Sequence, residues 1–133
     1  MANIAFTTYI VESGKATLEA LEARLNEMPY SPAFNIQEIS YLDSGEMCII
    51  VESPWKENKE MRHQLEQEFP DTKFWYNVEL EGQDLWATND KEGRFFPHRF
   101  LIEDKDGNEE VCRTKEEAKA KGRIILECMV IED

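Results

Sequence analysis

The hydrophobic pattern of residues 4–80 switches between the period of a strand and that of a helix, and the order of the switches is the strongest constraint on the fold. Leu18, Leu21 and Leu25 are spaced as on one face of a helix, whereas alternating apolar and β-branched residues are typical of strands. The pattern predicts strands at 4–11, 36–42, 47–51 and 73–80, and helices at 15–28 and 54–69. The predicted order is therefore βαββαβ.

This order predicts an α+β fold of the ferredoxin-like kind, in which two helices cover one face of an antiparallel sheet. Strands 4–11 and 47–51 are the most continuously apolar, as expected of central strands. Strands 36–42 and 73–80 alternate with polar residues, which is typical of the edges of such a sheet.

Capping residues and prolines mark the predicted ends of both helices. Ser13 is the predicted N-cap of the first helix, and Pro29 prevents that helix from continuing. Ser53 is the predicted N-cap of the second helix, with Pro54 at its first position and Pro70 after its end.

Beyond residue 80 the sequence predicts an extension that widens the sheet with hairpin strands and adds a short helix. Strands are predicted at 85–88 and 95–103, with turns at 81–84, 89–93 and 104–108. Thr114 and Glu117 have the spacing of a capping box, which opens a helix that ends near Gly122. Residues 124–131 are predicted as a last strand, and the alternative is one helix over 115–131 that tolerates Gly122.

Length and charge limit the classes of function. The 133 residues suit a single domain, with residues 1–80 as its core and 81–133 as its extension. With 28 acidic and 15 basic residues, the net charge of −13 repels nucleic-acid phosphates and anionic lipid, and it suits a basic protein partner. Because the sequence has neither a basic leader nor a long apolar run, neither export nor membrane spanning is expected.

The cysteines and histidines predict no catalytic set and no cofactor. Cys48, Cys112 and Cys128 are odd in number and lack CxxC spacing, which argues against disulfides and zinc and favours a reducing cytoplasm. Cys48 and Cys128 lie in apolar strands, where a small buried hydrophobic residue is expected rather than a nucleophile. His63 and His98 have no motif partner, so both are predicted to be surface residues.

Two short patterns resemble ligand-binding loops but fail at required positions. Residues 14–17, GKAT, lie between a strand and a helix as a phosphate loop does, but Tyr9 stands where its first glycine is needed. Residues 104–108 match the first ligand positions of a calcium loop, but Glu109 and Lys115 replace its glycine and its last glutamate. A helix start and a hairpin turn are predicted instead.

The stretch TNDKEGRFFPHRF at 88–100 is the best candidate for a binding site. Three basic residues against Glu92 give residues 91–100 a balance of +2 inside an acidic protein. Basic groups interleaved with phenylalanines can seat an acidic peptide or stack a nucleic-acid base. The candidate binding residues are Lys91, Arg94, Phe95, Phe96, His98 and Arg99.

A structural role is the favoured alternative for the same stretch. Asn89 and Gly93 are typical turn residues, and Pro97 indicates an edge strand or a bulge. The phenylalanines would then enter the core while the basic groups neutralise neighbouring carboxylates. We therefore predict a hairpin with an aromatic anchor that is also available for contact.

The segment FWYNVELEGQDLWATNDKEGRFFPHRFLIED resembles the C-terminal ferredoxin-like domain of YubB-like and Api-type proteins, which are carried by plasmids, phages and conjugative elements. The part that matches is the turn TNDKEG, which is followed by an aromatic residue, by a Phe-Pro pair and by an arginine. The opening MANIAFTTYIVESGKATLEALEARL is similar to the start of the same domains. The resemblance implies a ferredoxin-like fold and an accessory role on mobile genetic elements, and it implies no catalytic residues.

Two functions are compatible with the sequence. The favoured one is a non-enzymatic acidic binding or accessory protein that contacts a basic protein partner. The alternative is a small metal-dependent enzyme in which carboxylates near strand ends, such as Glu12, Asp71 or Asp90, converge on one ion. A homodimer through an exposed sheet edge is a further expectation for partners.

Overall fold

A computed structural model describes residues 4–28, 33–80 and 85–130. The predicted helix stop at Pro29, the predicted turn at 81–84 and the predicted strand end at Ile131 lie outside these ranges. Among the helices that the structure describes, none is long and apolar enough to span a membrane.

The protein is α+β, and its first part has the predicted order βαββαβ. The elements of this part are β1 (Ile4–Glu12), α1 (Lys15–Glu27), β2 (Asn35–Tyr41), β3 (Met47–Pro54), α2 (Lys59–Glu68) and β4 (Lys73–Leu80). The later elements are β5 (Leu85–Thr88), β6 (Phe100–Glu103), β7 (Glu109–Cys112), α3 (Lys115–Lys121), β8 (Arg123–Glu127) and β9 (Met129–Val130).

The main sheet has the strand order β2-β3-β1-β4-β5-β9, and its pairs are antiparallel except for β5 with β9. The central position of β1 is confirmed, because Tyr9 lies opposite Ile49 on β3 and opposite Tyr76 on β4. The predicted edge position of β2 is also confirmed. The predicted edge position of β4 is wrong, because β5 pairs with it and Thr88 lies opposite Asn77.

Both α1 and α2 pack on one face of this sheet. Side chains alternate across a strand, so the paired residues Tyr9, Ile49 and Tyr76 lie on the same face. Leu21 of α1 and Leu65 of α2 are fully buried in one hydrophobic cluster with these three residues. Burying a leucine side chain contributes about 1.5–3 kcal/mol, so the two helices and the sheet stabilise one another.

The predicted start of the second helix at Pro54 is wrong. Pro54 ends β3, opposite Ile4 of β1, where a residue without an N–H is tolerated because the pairing stops there. The helix begins at Lys59, and its N-cap is Asn58, whose Oδ1 accepts a hydrogen bond from the backbone N–H of Met61 at 3.0 Å.

The two predicted serine caps have other roles. Ser13 Oγ donates to the backbone carbonyl of Asp71 at 3.2 Å, and Gly14 is the N-cap of α1 without a side-chain hydrogen bond. Ser53 Oγ donates to the backbone carbonyl of Lys56 at 2.6 Å. Both hydroxyls therefore stabilise loops rather than helix N-termini.

A buried ion pair joins the segment before α2 to the centre of the sheet. Arg62 Nε donates to Glu57 Oε2 at 2.8 Å, and the Tyr9 hydroxyl donates to the same oxygen at 2.5 Å. The Arg62 guanidinium also lies 4.8 Å from the centre of the Tyr76 ring. Burial and the neighbouring Glu57 carboxylate raise the pKa of the Tyr9 hydroxyl well above its ordinary value, so Tyr9 stays a donor.

Strands β6, β7 and β8 form a separate sheet in the order β7-β6-β8. The prediction that the later hairpin strands widen the main sheet is therefore wrong for these three, whereas β5 and β9 do join it. The strand predicted at 95–103 is confirmed only over Phe100–Glu103. A second hydrophobic cluster of Phe100, Ile102, Cys112 and Ala118 packs this sheet against α3.

The hairpin turn predicted at 104–108 is confirmed between β6 and β7. Asp104 Oδ1 accepts hydrogen bonds from the backbone N–H groups of Asp106 and Asn108, both at 2.9 Å. Gly107 has a φ of 83°, a conformation that glycine adopts without steric cost. The Asp104 carboxylate therefore stabilises the turn through hydrogen bonds to backbone groups of the turn itself.

The predicted helix after Thr114 is confirmed, whereas the single strand predicted at 124–131 is confirmed only in part, because β8 ends at Glu127 and β9 pairs in the other sheet. Thr114 Oγ1 accepts a hydrogen bond from the backbone N–H of Glu117 at 3.1 Å, which caps α3. A Cβ atom at Gly122 would lie 2.4 Å from the carbonyl oxygen of Glu103, so the helix ends where only glycine fits against β6. Because β8 and β9 follow, the alternative of one helix over 115–131 is wrong.

Candidate functional site

The buried carboxylate of Asp90 holds residues 90–96 in a loop. It accepts hydrogen bonds from the backbone N–H groups of Arg94, Phe95 and Phe96 at 3.2, 2.7 and 2.9 Å. Asp90 is only 2% exposed, and a buried carboxylate is stable when such donors replace its water. Because these N–H groups are taken, the hairpin predicted for 88–100 does not form, and that prediction is wrong.

Arg94 and Phe95 lie at the end of β1. Arg94 Nη1 is 2.8 Å from Glu12 Oε2, and the Arg94 guanidinium lies 4.8 Å from the centre of the Phe95 ring. The Phe95 ring is half-buried and contacts Trp75, with 6.2 Å between ring centres. Trp75 Nε1 donates to Glu12 at 2.6 Å, so one carboxylate connects the loop to two strands.

Lys91, Phe96 and His98 lie elsewhere, around a small cavity of about 60 Å³. The His98 ring stacks on Phe100 with 5.3 Å between ring centres, and its Nε2 lies 3.8 Å from Glu127. His98 is exposed, as predicted.

Arg99 occupies a third position, over the main sheet. Its guanidinium lies 4.3 Å from the centre of the Trp86 ring, and its Nη2 donates to Glu79 at 2.9 Å and to Asn77 at 3.2 Å. The six candidate binding residues of 88–100 are thus distributed over three neighbourhoods, and the structure does not bring them into one site.

A larger groove of about 620 Å³ lies between the N-terminal half of α1 and the turn that connects β2 to β3. We call it the acidic groove. It is lined by Glu12, Ser13, Lys15, Leu18, Glu19, Glu22, Tyr41, Ser44, Gly45 and Glu46. Four carboxylates against one ammonium group give the lining a formal charge of −3, and the exposed ring of Tyr41 supplies apolar surface.

Hydrogen bonds hold two of these carboxylates in place. The Tyr41 hydroxyl donates to Glu22 Oε1 at 2.6 Å, which joins β2 to α1, and Ser44 Oγ donates to Glu46 Oε2. Partial desolvation, the hydrogen bond to Glu22 and nearby carboxylate charge raise the pKa of Tyr41 to about 12. Hydrogen bonds from Ser44 and a backbone N–H, helped by the charge of Arg94, lower the pKa of Glu46 below its ordinary value. The groove is therefore anionic at neutral pH.

Three glutamates of the groove, Glu19, Glu22 and Glu46, were not predicted as site residues from the sequence. A local signal exists for two of them, because residues three apart on a helix share a face and Glu19 and Glu22 therefore lie together on α1. Sequence alone carries no signal that the turn bearing Glu46 packs beside that face. Of the four glutamates in the groove, only Glu12 was a predicted site residue, as a carboxylate near a strand end.

The three carboxylates proposed for a metal site do not converge. Glu12 is bound by Trp75 and Arg94, and Asp90 is bound by backbone N–H groups of its own loop. Asp71 is exposed in the turn after α2. Over residues 4–28, 33–80 and 85–130, no group of three or more His, Cys, Asp or Glu side chains is arranged to hold a metal ion.

The cysteines are free thiols, and two of the three are buried. Burial raises the pKa of Cys128 and Cys112, which disfavours the reactive thiolate form. Cys128 is the predicted small buried residue, whereas Cys48 on β3 is only half-buried and its pKa is also raised by desolvation.

Comparisons of this chain with protein-family models, with curated proteins and with solved structures gave no match. The interpretation of the acidic groove therefore depends on its own geometry and charge.

Proposed function

We propose that the protein is a non-enzymatic binding protein that holds a basic segment of a protein partner in the acidic groove. The observation that carries this proposal is a groove of about 620 Å³ in which four glutamates face one lysine. A lysine or arginine side chain has an apolar stem and a cationic end, which match the exposed Tyr41 ring and the carboxylates of the groove.

Charge favours association with a cation in two ways. Glu19 is exposed and makes no hydrogen bond or ion pair with any residue that the structure describes, so its charge is available to a ligand. The net charge of −13 also attracts a basic partner over a longer range and speeds association.

The partner that we propose is a different protein rather than a second copy of this chain. The β2 edge of the main sheet has a register irregularity between Ile36 and Glu38, and such bulges oppose edge-to-edge pairing. Two copies would also repel each other, because each carries a net charge of −13.

We further propose that residues 4–80 are a ferredoxin-like unit and that 85–130 extend the same domain. The supporting observations are the order βαββαβ, the strand order β2-β3-β1-β4 and the packing of α1 and α2 on one face. The pairing of β9 with β5 supports one domain, since it returns the end of the chain to the main sheet.

The association with mobile genetic elements is proposed from the sequence resemblance of residues 74–104 to YubB-like and Api-type domains. An accessory protein of such an element needs a contact with another protein and no chemistry of its own. The acidic groove supplies a surface of that kind.

Fluorescence anisotropy with a labelled decapeptide of alternating lysine and alanine tests the groove. The variant Glu19→Gln/Glu22→Gln removes two charges from α1 while keeping side-chain size. The matched control, Glu109→Gln/Glu116→Gln, removes two charges from exposed positions on β7 and α3.

We expect the Kd to rise about tenfold or more in the groove variant and less than about twofold in the control, because nearby charges act more strongly than screened distant ones. Equal losses in both variants would show that only the net charge of the protein attracts the peptide. No binding by the wild type would overturn the proposal as well.

A further inference from the structure

A row of alternating acidic and aromatic residues crosses the face of the main sheet opposite the helices. Phe6 on β1 lies opposite Glu52 on β3 and opposite Glu79 on β4, and Glu79 lies opposite Trp86 on β5. Because directly paired residues share a face, the order across the four strands is Glu52, Phe6, Glu79, Trp86.

One half of this row already binds a guanidinium from within the chain. Arg99 lies 4.3 Å from the centre of the Trp86 ring, and its Nη2 donates to Glu79 Oε1 at 2.9 Å. A ring face and a carboxylate on adjacent strands together satisfy the cation–π and ion-pair preferences of arginine.

Among the residues that the structure describes, the other half has the same two groups without a cation. The Phe6 side chain is 37% exposed. Glu52 is half-buried and makes no hydrogen bond or ion pair with any residue in the described ranges. Next to Phe6 on this face, Ile4 is 38% exposed, which adds apolar surface for the stem of a long side chain.

We propose that the Phe6–Glu52 half of the row binds an arginine side chain of a basic protein partner. Its guanidinium stacks on Phe6 and pairs with Glu52, as Arg99 does with Trp86 and Glu79 one strand pair away. Glu52 and Glu79 flank Phe6 on both sides, and their charges oppose stacking of a nucleic-acid base that carries a phosphate.

This site is separate from the acidic groove. Phe6 and Glu12 lie six residues apart on β1. At the rise per residue of a strand, their Cα atoms are about 20 Å apart, so a single side chain cannot reach both. The inference goes beyond the proposed function, and either site can fail without the other.

The test is an NMR titration of the ¹⁵N- and ¹³C-labelled protein with a pentapeptide that contains one arginine between alanines. We expect shifts at residues 4–8 and 50–54, whereas any shifts at residues 12–22 report binding in the acidic groove. The same peptide with citrulline, which keeps the shape and removes the charge, should leave these signals in place.

Two variants separate the contributions of the ring and of the charge. Glu52→Gln should raise the Kd of the arginine peptide about tenfold, and Phe6→Leu should raise it about threefold by removing the ring face while keeping an apolar side chain. Because the acidic groove can also bind an arginine side chain, the Kd is read from the signals of residues 4–8 and 50–54 alone, and the groove variant Glu19→Gln/Glu22→Gln should change that local Kd by less than about twofold. Urea melts establish that each variant is folded.

Shifts confined to residues 12–22 would overturn this inference while supporting the groove. An unchanged Kd in Glu52→Gln would overturn it too. If a single-stranded oligonucleotide shifts the Phe6 signals and Glu52→Gln strengthens that effect, the face is a nucleic-acid surface and the inference is wrong.

Discussion

Arg94 Nη1 lies 2.8 Å from Glu12 Oε2, across a sequence separation of 82 residues. This contact ties the loop at 89–99 to the edge of the acidic groove, since Glu12 also lines the groove. Arg94 therefore neutralises part of the negative charge of the acidic groove, although it does not line the groove itself. The basic residues of 88–100 and the acidic groove are thus electrostatically coupled through Glu12.

The variant Arg94→Ala should strengthen peptide binding while leaving folding almost unchanged. Arg94 is 56% exposed, so its ion pair contributes less than about 1 kcal/mol to stability. Removing its charge should lower the Kd of the lysine–alanine decapeptide about twofold to threefold, because one repulsive charge is lost. Lys105→Ala, in the distant β6–β7 turn, is the matched control. Weaker binding by Arg94→Ala would mean that Arg94 itself contacts the partner.

Asp90→Ala should destabilise the protein by about 3 kcal/mol in urea melts, because three backbone N–H groups lose a charged acceptor. Asp90→Asn should recover only part of this loss, since an amide offers one acceptor oxygen. The control is Glu92→Ala, an exposed change in the same loop, with an expected effect within about 0.5 kcal/mol. A loss below 1 kcal/mol for Asp90→Ala would show that the loop does not depend on this carboxylate.

Local periodicity was sufficient for much of the fold because α1 buries one face, with Leu18, Leu21 and Leu25, and alternate residues of β3 are buried. The helix predicted at 15–28 is found at Lys15–Glu27, and β1 and β3 are central as their apolar sequences predict. The start of α2 was mispredicted because a serine followed by proline suits a helix start and also the end of a strand. Asn58 was the better signal, since it is followed three residues later by the buried Met61.

Contacts between distant residues account for what the sequence did not predict. Residues 95–103 were predicted as one strand, but the carboxylate of Asp90 accepts hydrogen bonds from the N–H groups of Phe95 and Phe96. This competition between side chain and backbone has no periodic signature. The acidic groove was missed for a similar reason, because the turn with Glu46 meets α1 only in the folded chain.

Phe95→Ala should cost about 2 kcal/mol of stability. A fully buried phenylalanine costs about 3–5 kcal/mol when truncated, and Phe95 is only half-buried against Trp75. Phe100→Ala, at a buried position of the second cluster, should cost about 4 kcal/mol and serves as the comparison. Denaturant melts that give equal losses for the two variants would place Phe95 in the core.

The buried pair of Glu57 and Arg62 should be far more sensitive to mutation than the exposed pair of Arg24 and Glu68. Glu57→Gln removes the buried counter-charge of Arg62 and leaves the more exposed Glu66, 3.1 Å from Nη1, so we expect a loss of about 3 kcal/mol. The double variant Glu57→Gln/Arg62→Met should recover part of this loss, because no buried charge remains. Removing Arg24 or Glu68 should cost less than about 1 kcal/mol. A double-mutant cycle at each pair measures the difference, and similar coupling energies would contradict it.

Tyr41 should ionise at a pH about two units above an ordinary tyrosine, because its pKa is raised to about 12. A raised folded-state pKa means that the stabilisation is complete below about pH 10, the pKa of an unfolded tyrosine, and is lost as the pH rises through the folded value. Ultraviolet titration of the wild type against Tyr41→Phe isolates this group. Glu22→Gln should move its pKa back towards the ordinary value, since the amide removes the charge that disfavours the phenolate. An unchanged Tyr41 pKa in Glu22→Gln would show that desolvation alone sets it and that Glu22 does not bind its hydroxyl in solution.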